Sequence, residues 1–290
     1  MALTISTINL KGGVGKTQTT VALAEFLILE SRELELPQRP KVLVIDLDPQ
    51  TNATIMLISE ERWKEKNSKG ETLNQLFKDA LLETEDFNIN SAIERNVSNI
   101  DGGIQGLDLL PSSLDLIDLQ DNLRNVSSPN SVLYGALNEA DIFSQYDYII
   151  IDCPPNLGVI TKNGLYFSDF YLIPTIPDIL STYGIPQITS SIERFRHPKR
   201  GEQAIGRLEP LGILISKYRE QNPLHRSKAQ ELDSSAVYPK TFSEKVPDAA
   251  DISKSAEYDS PNKYSTLKKK YKSFHYYYLS MVREVLSRAQ

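Results

Sequence analysis

Cysteine is nearly absent from this chain: Cys153 is the one thiol in 290 residues. That excludes an internal disulfide framework and disfavours transfer of a metal cluster through cysteine ligands. Beside Asp152 it reads as a small buried filler in a protein of a reducing compartment. The three histidines, His197, His225 and His275, lack metal-ligand spacing and read as surface or helix residues. No apolar run approaches the roughly 20 residues needed to span a bilayer. No basic stretch followed by an apolar one opens the sequence, so a secretory signal is not expected. Internal repeats, low-complexity segments and linkers are also lacking, and a single domain over residues 1–290 is the expectation.

What is present is ordinary for a soluble globular protein, with 40% hydrophobic and 24% charged residues. The net charge of −6 argues against a histone-like polyanion binder, but its distribution is uneven. Residues 1–190 hold 13 Lys+Arg against 26 Asp+Glu, whereas residues 191–290 hold 19 against 12. A local basic face is therefore open to the chain, and so is a merely solvated surface.

The first chemical feature is Lys11-Gly12-Gly13-Val14-Gly15-Lys16-Thr17. It follows an apolar run read as a strand over Leu3–Asn9 and precedes a helical pattern from Thr17 to Ser31. Glycines let the backbone turn tightly so that several N–H groups face one anion. The helix dipole adds partial positive charge there. Lys16 can reach the β- and γ-phosphates of a nucleotide, and the Thr17 hydroxyl can hold Mg2+. The loop departs from the common G-x-x-x-x-G-K-[ST] string, because Leu10 stands in place of the first glycine and a second lysine, Lys11, follows it.

Downstream, apolar runs end in acid. Lys41–Asp46 fits a parallel strand buried on both faces. At its end come Asp46-Leu47-Asp48-Pro49-Gln50, with both aspartates on one side if the chain stays extended. Tyr148–Asp152 is a second such strand, of Walker B pattern, whose terminal aspartate can approach Mg2+ through water. Leu107–Pro111, Phe170–Pro174 and Leu211–Ser216 read as further strands. Ser112 or Ser113 is expected to cap one helix, Asn156 to begin another and Pro177-Asp178 to open a third. Residues 59–105 read as surface helices with a Gly102-Gly103 turn. In the tail, Phe274, Tyr278, Met281, Val282 and Val285 fall at helical spacing, read as a helix packed on the sheet. Strands alternating with helices give an α/β fold, and ligands of such sheets bind at the C-terminal strand edge.

These motifs resemble the ParA/MinD family of positioning ATPases. The lysine-rich loop is similar to its deviant Walker A motif, and Asp46–Gln50 followed by Asn52-Ala53-Thr54 to its D-x-D-P-Q element. Residues 110–116 are similar to its L-P-S-S-x-D-L stretch, and Tyr146–Gly158 to its Y-D-Y-I-I-I-D-x-P-P-x-L-G. The resemblance implies a doubly wound, mostly parallel sheet flanked by helices, a P-loop NTPase of the deviant Walker A type. It implies ATP and Mg2+ as cofactors. Gly12, Gly13, Val14, Gly15, Lys16, Thr17 and Gln18 would wrap the phosphates, although Gln18 replaces the family's usual Thr. Lys217, Tyr218 and Pro247 would flank the adenine. Thr17, Asp46 and Asp152 would serve the metal, with Asp48 orienting the attacking water. Lys11 would reach across to the nucleotide of a facing subunit, making an ATP-dependent homodimer.

The family also implies non-specific DNA binding, a nucleoid-associated cytoplasmic location and a ParB-like or McdB-like adaptor that stimulates hydrolysis. The cargo would be a plasmid, a chromosome or a protein organelle such as the carboxysome. With a strand opening at Leu3, the helix-turn-helix extension of the larger plasmid partition proteins is not expected. Asp248 and Asp251 stand where many relatives carry arginine, so the basic groups for DNA are sought at Lys199, Arg200, Lys217, Arg219 and Lys268–Lys272. A MinD-like membrane role through the terminal helix is the rival reading, and membrane binding is not expected.

Overall fold

The computed structural model describes residues 2–198, 203–248 and 254–290. Six strands make one parallel sheet in the order β3-β2-β4-β1-β5-β6. They are β1 (Leu3–Thr7), β2 (Val42–Asp46), β3 (Leu107–Leu110), β4 (Tyr148–Asp152), β5 (Phe170–Thr175) and β6 (Glu209–Ile215). Every expected strand is present, most of them a residue or two shorter or shifted at an end.

Alternation along these strands builds two cores. Ile5, Val42, Val44, Ile150 and Leu172 face one side, toward Val21, Leu27, Met281 and Val282. Leu43, Ile45, Ile149, Ile151 and Ile173 face the other, toward Leu133, Leu137, Ile160 and Ile188. Burial on both faces explains why the strands read as nearly unbroken apolar runs.

Helix α1 (Lys16–Leu29) lies in the first of these layers and is buried along most of its length. It meets α2 (Asn52–Leu57) beside it. Beyond β5 come α3 (Ile179–Tyr183) and α4 (Ile185–Arg196). The tail supplies α5 (Leu267–Tyr271) and α6 (His275–Arg288), and α6 packs on α1. Tyr278, Met281, Val282 and Val285 of α6 are buried there, so the apolar face of the terminal helix is covered by the protein itself. Among the described residues no helix is long and apolar enough to cross a membrane.

Two expected helix starts come later than their cap residues. Ser113 Oγ accepts the Asp115 N–H at 3.2 Å, but the helix begins at Leu116. Asn156 Oδ1 accepts the Gly158 N–H at 2.8 Å, and the helix runs Val159–Tyr166. In both cases the short polar side chain closes a local turn before the helix instead of capping it. Asp178 does cap α3, accepting the Ser181 N–H at 2.7 Å.

Candidate functional site

Register brings the sequence-distant groups together. Thr7 pairs with Asp152 across β1 and β4, and Asp46 pairs with Asp152 across β2 and β4. The three strand ends therefore meet below the loop of residues 9–16. That loop is tied at both ends. Asn9 Nδ2 donates to the Pro174 carbonyl at 2.8 Å, and Asn9 Oδ1 accepts the Lys11 N–H at 3.0 Å. Ser216 Oγ donates to the Val14 carbonyl at 2.6 Å, tying the loop to the end of β6. Gly13 and Gly15 take φ of 75° and 84°, which only glycine adopts without strain. Space is open where a Cβ would stand on Gly12 or Gly13, so the loop leaves an empty concavity at its backbone.

Lys16 is nearly buried, and its Nζ donates to the Lys11 carbonyl at 3.2 Å. Burial lowers its pKa, while the Asp152 and Asp48 charges oppose that shift. Asp152 is fully buried, and burial raises its carboxyl to about 6 against the pull of the Thr17 hydroxyl and the Lys16 ammonium. Its Oδ1 takes the Thr7 and Thr20 hydroxyls at 3.3 and 3.4 Å, but Oδ2 has no hydrogen-bond partner. An ionised oxygen buried without a donor is costly unless something cationic completes it. Thr17 and Asp152 therefore fit a hydrated divalent cation, and the glycine loop fits a polyphosphate.

A cleft of about 770 Å³ opens above these groups. Gly12, Gly13, Gly15, Lys16, Thr17, Gln18 and Asp48 line it, as expected, and so does Lys217. Val14 offers only backbone, because its side chain is buried. Asp48 Oδ1 accepts the Gln50 N–H at 2.9 Å, which fixes the carboxylate at the rim. Tyr218 and Pro247 stand beside the cleft rather than in its lining, joined by the Tyr218 N–H to Val246 carbonyl bond of 2.9 Å.

Three expectations need correction or relocation. Asp46 was expected at the metal, but its oxygens are occupied. Oδ1 accepts the Asp48 N–H at 3.1 Å, and Oδ2 takes the Thr54 N–H and hydroxyl at 2.8 and 2.7 Å. Burial, then the Asp152 charge, raises its pKa well above the usual carboxylate range. Asp46 braces the turn that carries Asp48.

Lys270 was sought on a DNA face, but it is buried, with Nζ 2.6 Å from Glu25 Oε1. Arg219 is engaged by Asp248 at 2.6 Å. Lys268 and Lys269 are exposed, and Lys199, Arg200 and Asp251 lie outside the described residues.

The sequence reading missed Asp178, whose carboxylate holds Lys11 Nζ at 3.0 and 3.3 Å. It also missed Asn9 and Ser216, and the second wall of the cleft formed by Ala256, Glu257, Tyr258 and Asp259. Gln18 reaches that wall's base, its Nε2 donating to Ser255 Oγ at 3.2 Å.

A glycine loop between β1 and α1, a lysine and a threonine opening α1, and an aspartate ending β4 define a P-loop nucleotide-binding protein. A family model described as an AAA domain matches residues 2–205. The chromosome partitioning protein ParA of Caulobacter vibrioides is 27% identical over 280 residues, 97% of this chain and 92% of that protein. The chain belongs to the ParA/MinD family of partitioning ATPases.

Other similarities differ in extent. The chain spans 58% of the length of two uncharacterised Mycobacterium tuberculosis relatives, each 30% identical over 217 residues. Apo McdA of Cyanothece superposes with a TM-score of 0.73 at 20% identity, covering 99% of this chain and 100% of that one. Cobyrinic acid a,c-diamide synthase of Mycobacterium smegmatis, with bound ADP and magnesium, superposes with a TM-score of 0.67 at 25% identity. That match covers 86% of this chain and 88% of the other.

Proposed function

We propose that the chain is a Mg-ATP-dependent switch of ParA type. In this reading ATP favours a homodimer, the dimer binds DNA without sequence preference, and an adaptor of ParB or McdB kind stimulates hydrolysis and release. The cargo is a DNA element or a protein organelle brought by that adaptor, and the protein works on the nucleoid in the cytoplasm.

The observation that carries the reading is the convergence of Lys16, Thr17 and Asp48 on one cleft, with the unpartnered Asp152 Oδ2 beneath it. The loop backbone and Lys16 hold the phosphates, while Thr17 and Asp152 hold the cation. A bound Mg2+ supplies charge neutralisation for phosphoryl transfer. Asp48, fixed by the Gln50 N–H, orients the attacking water from the rim.

Lys11 is outside its own cleft, paired with Asp178. That placement leaves it available to act on a facing subunit's phosphates, as an arginine finger does. Lys268 and Lys269 are the proposed contacts to DNA phosphates. A membrane role through α6 draws no support, because its apolar face is packed against α1.

The test is Lys11→Ala, read by ATP turnover and by sedimentation velocity in ATP against ADP. Loss of turnover and a weaker ATP-dependent dimer are expected. Unchanged turnover refutes the role of Lys11 across the interface.

A further inference from the structure

Thr51 stands at the exit of the turn that carries Asp48, and its backbone is left-handed, with φ 55° and ψ 25°. Among the eleven described non-glycine residues with positive φ it is the β-branched one. A Cβ crowds the following carbonyl oxygen in that region, and a branched side chain crowds it more. The Thr51 side chain is buried and makes no capping hydrogen bond to α2 that would offset the strain.

Both flanks of the turn are pinned. Asp46, at the end of β2, is held by the N–H and hydroxyl of Thr54 in α2. Ala53, Met56 and Leu57 of α2 are buried, and the Thr54 hydroxyl also accepts the Ser112 N–H at 3.1 Å, just past β3. Between these anchors the turn is closed by two bonds of its own, from the Thr51 N–H to the Asp48 carbonyl at 2.8 Å and from the Gln50 N–H to Asp48 Oδ1 at 2.9 Å. With α2 fixed, rotation of Thr51 out of the left-handed region is taken up by residues 48–50, and the Asp48 carboxylate moves with them.

We propose that Thr51 is a positioning residue that holds down unstimulated hydrolysis. Its strain keeps the turn poised between a form with Asp48 at the rim of the cleft and a relaxed form with Asp48 withdrawn. The inference rests on the reading that Asp48 orients the attacking water. A left-handed residue that carries a Cβ is disfavoured by an amount that shifts a two-state equilibrium about 5–30-fold. Glycine lacks that penalty, so it would favour the rim form by the same factor. A contact that holds residues 48–51 in the rim form would raise the rate without touching the phosphates. Gln50, exposed and in the cleft lining, is where such a contact can reach the turn.

The test compares Thr51→Gly with Thr51→Ala, which loses the same methyl and hydroxyl but keeps the Cβ. At saturating Mg-ATP, Thr51→Gly is expected to raise the unstimulated kcat about 5–30-fold, and Thr51→Ala to stay within about threefold of the unmodified chain. KM for ATP should change less than about twofold in both, because the phosphate loop is untouched. Urea unfolding without nucleotide should rank Thr51→Gly above Thr51→Ala, the reverse of their order at an unstrained position.

Equal rates in the two variants would trace any effect to the lost hydroxyl or methyl and overturn the inference. So would an unfolding order with Thr51→Ala above Thr51→Gly. If Asp48→Ala hydrolyses slowly but Thr51→Gly turns over no faster than the unmodified chain, the inference falls while the role of Asp48 stands. If Asp48→Ala hydrolyses ATP as fast as the unmodified chain, the reading of Asp48 fails and the inference fails with it.

Discussion

Glu25 and Lys270 form a fully buried ion pair, and separating them should be among the most damaging changes available outside the nucleotide cleft. Lys270 Nζ lies 2.6 Å from Glu25 Oε1. Ser98 Oγ donates to the same oxygen at 2.7 Å, and the Tyr271 hydroxyl donates to Oε2 at 2.9 Å. Burial lowers the Lys270 pKa, opposed by the Glu25 charge, so the ammonium depends on that carboxylate.

Glu25→Gln keeps one acceptor oxygen, for Ser98, and turns an amide NH2 toward the Tyr271 hydroxyl, which must then accept, and it leaves a buried ammonium without its anion. The expected loss is about 3–5 kcal/mol. Lys270→Met leaves a carboxylate that still accepts two hydroxyls, so a smaller loss of about 2–3 kcal/mol is expected. The double variant Glu25→Gln/Lys270→Met removes both charges and keeps the hydroxyl bonds. It should lie within about 1 kcal/mol of the unmodified chain.

Urea unfolding of the four proteins measures the coupling directly. In thermal melts at about 2 °C per kcal/mol for a chain of this size, Glu25→Gln should lower Tm by about 6–10 °C. Singles within about 1 kcal/mol of the unmodified chain, or losses that simply add in the double variant, would refute the buried pair.

Other outcomes concern the surface and the cleft. Lys268→Gln/Lys269→Gln should weaken DNA binding and reduce the slope of log K against log salt by about 2, while Lys270→Met leaves the slope unchanged. An unchanged slope in the first variant would move the DNA face elsewhere. Asp48→Ala should bind ATP with little change yet hydrolyse it at least about 100-fold more slowly, accumulating dimers in ATP. Rapid turnover by that variant would give the water-orienting role to another group.

The sheet was legible because both of its faces are covered: β2 and β4 read as apolar runs, and each ends in the aspartate that marks the ligand-binding edge. The glycine loop was legible for a similar reason, since its conformation is set by residues a few positions apart. Contacts between distant residues were not. Asp178 sits 167 positions from Lys11, and nothing local marks it as more than a helix cap. The run Lys268-Lys269-Lys270 looks uniform in sequence. Its buried member is betrayed only by spacing, since Leu267, Lys270 and Tyr271 fall at i, i+3 and i+4 on one helical face. Asp46 looked equivalent to Asp48 by alternation, but the chain turns after β2, and Thr54 takes the Asp46 carboxylate.

The tail follows α1 from end to end. Ser255 meets Gln18 in its first turn, Lys270 and Tyr271 meet Glu25 near its middle, and His275 meets Glu30 at 2.7 Å just past its end. Twelve residues of helix are about 18 Å long, so the tail splints nearly the whole of the rod that carries the phosphate loop. A chimera that transplants residues 1–30 between relatives must carry residues 255–278 with them. Otherwise Glu25 enters the new host as a buried charge without its cation. The two ends of the chain are thus one exchangeable module, though more than two hundred residues separate them.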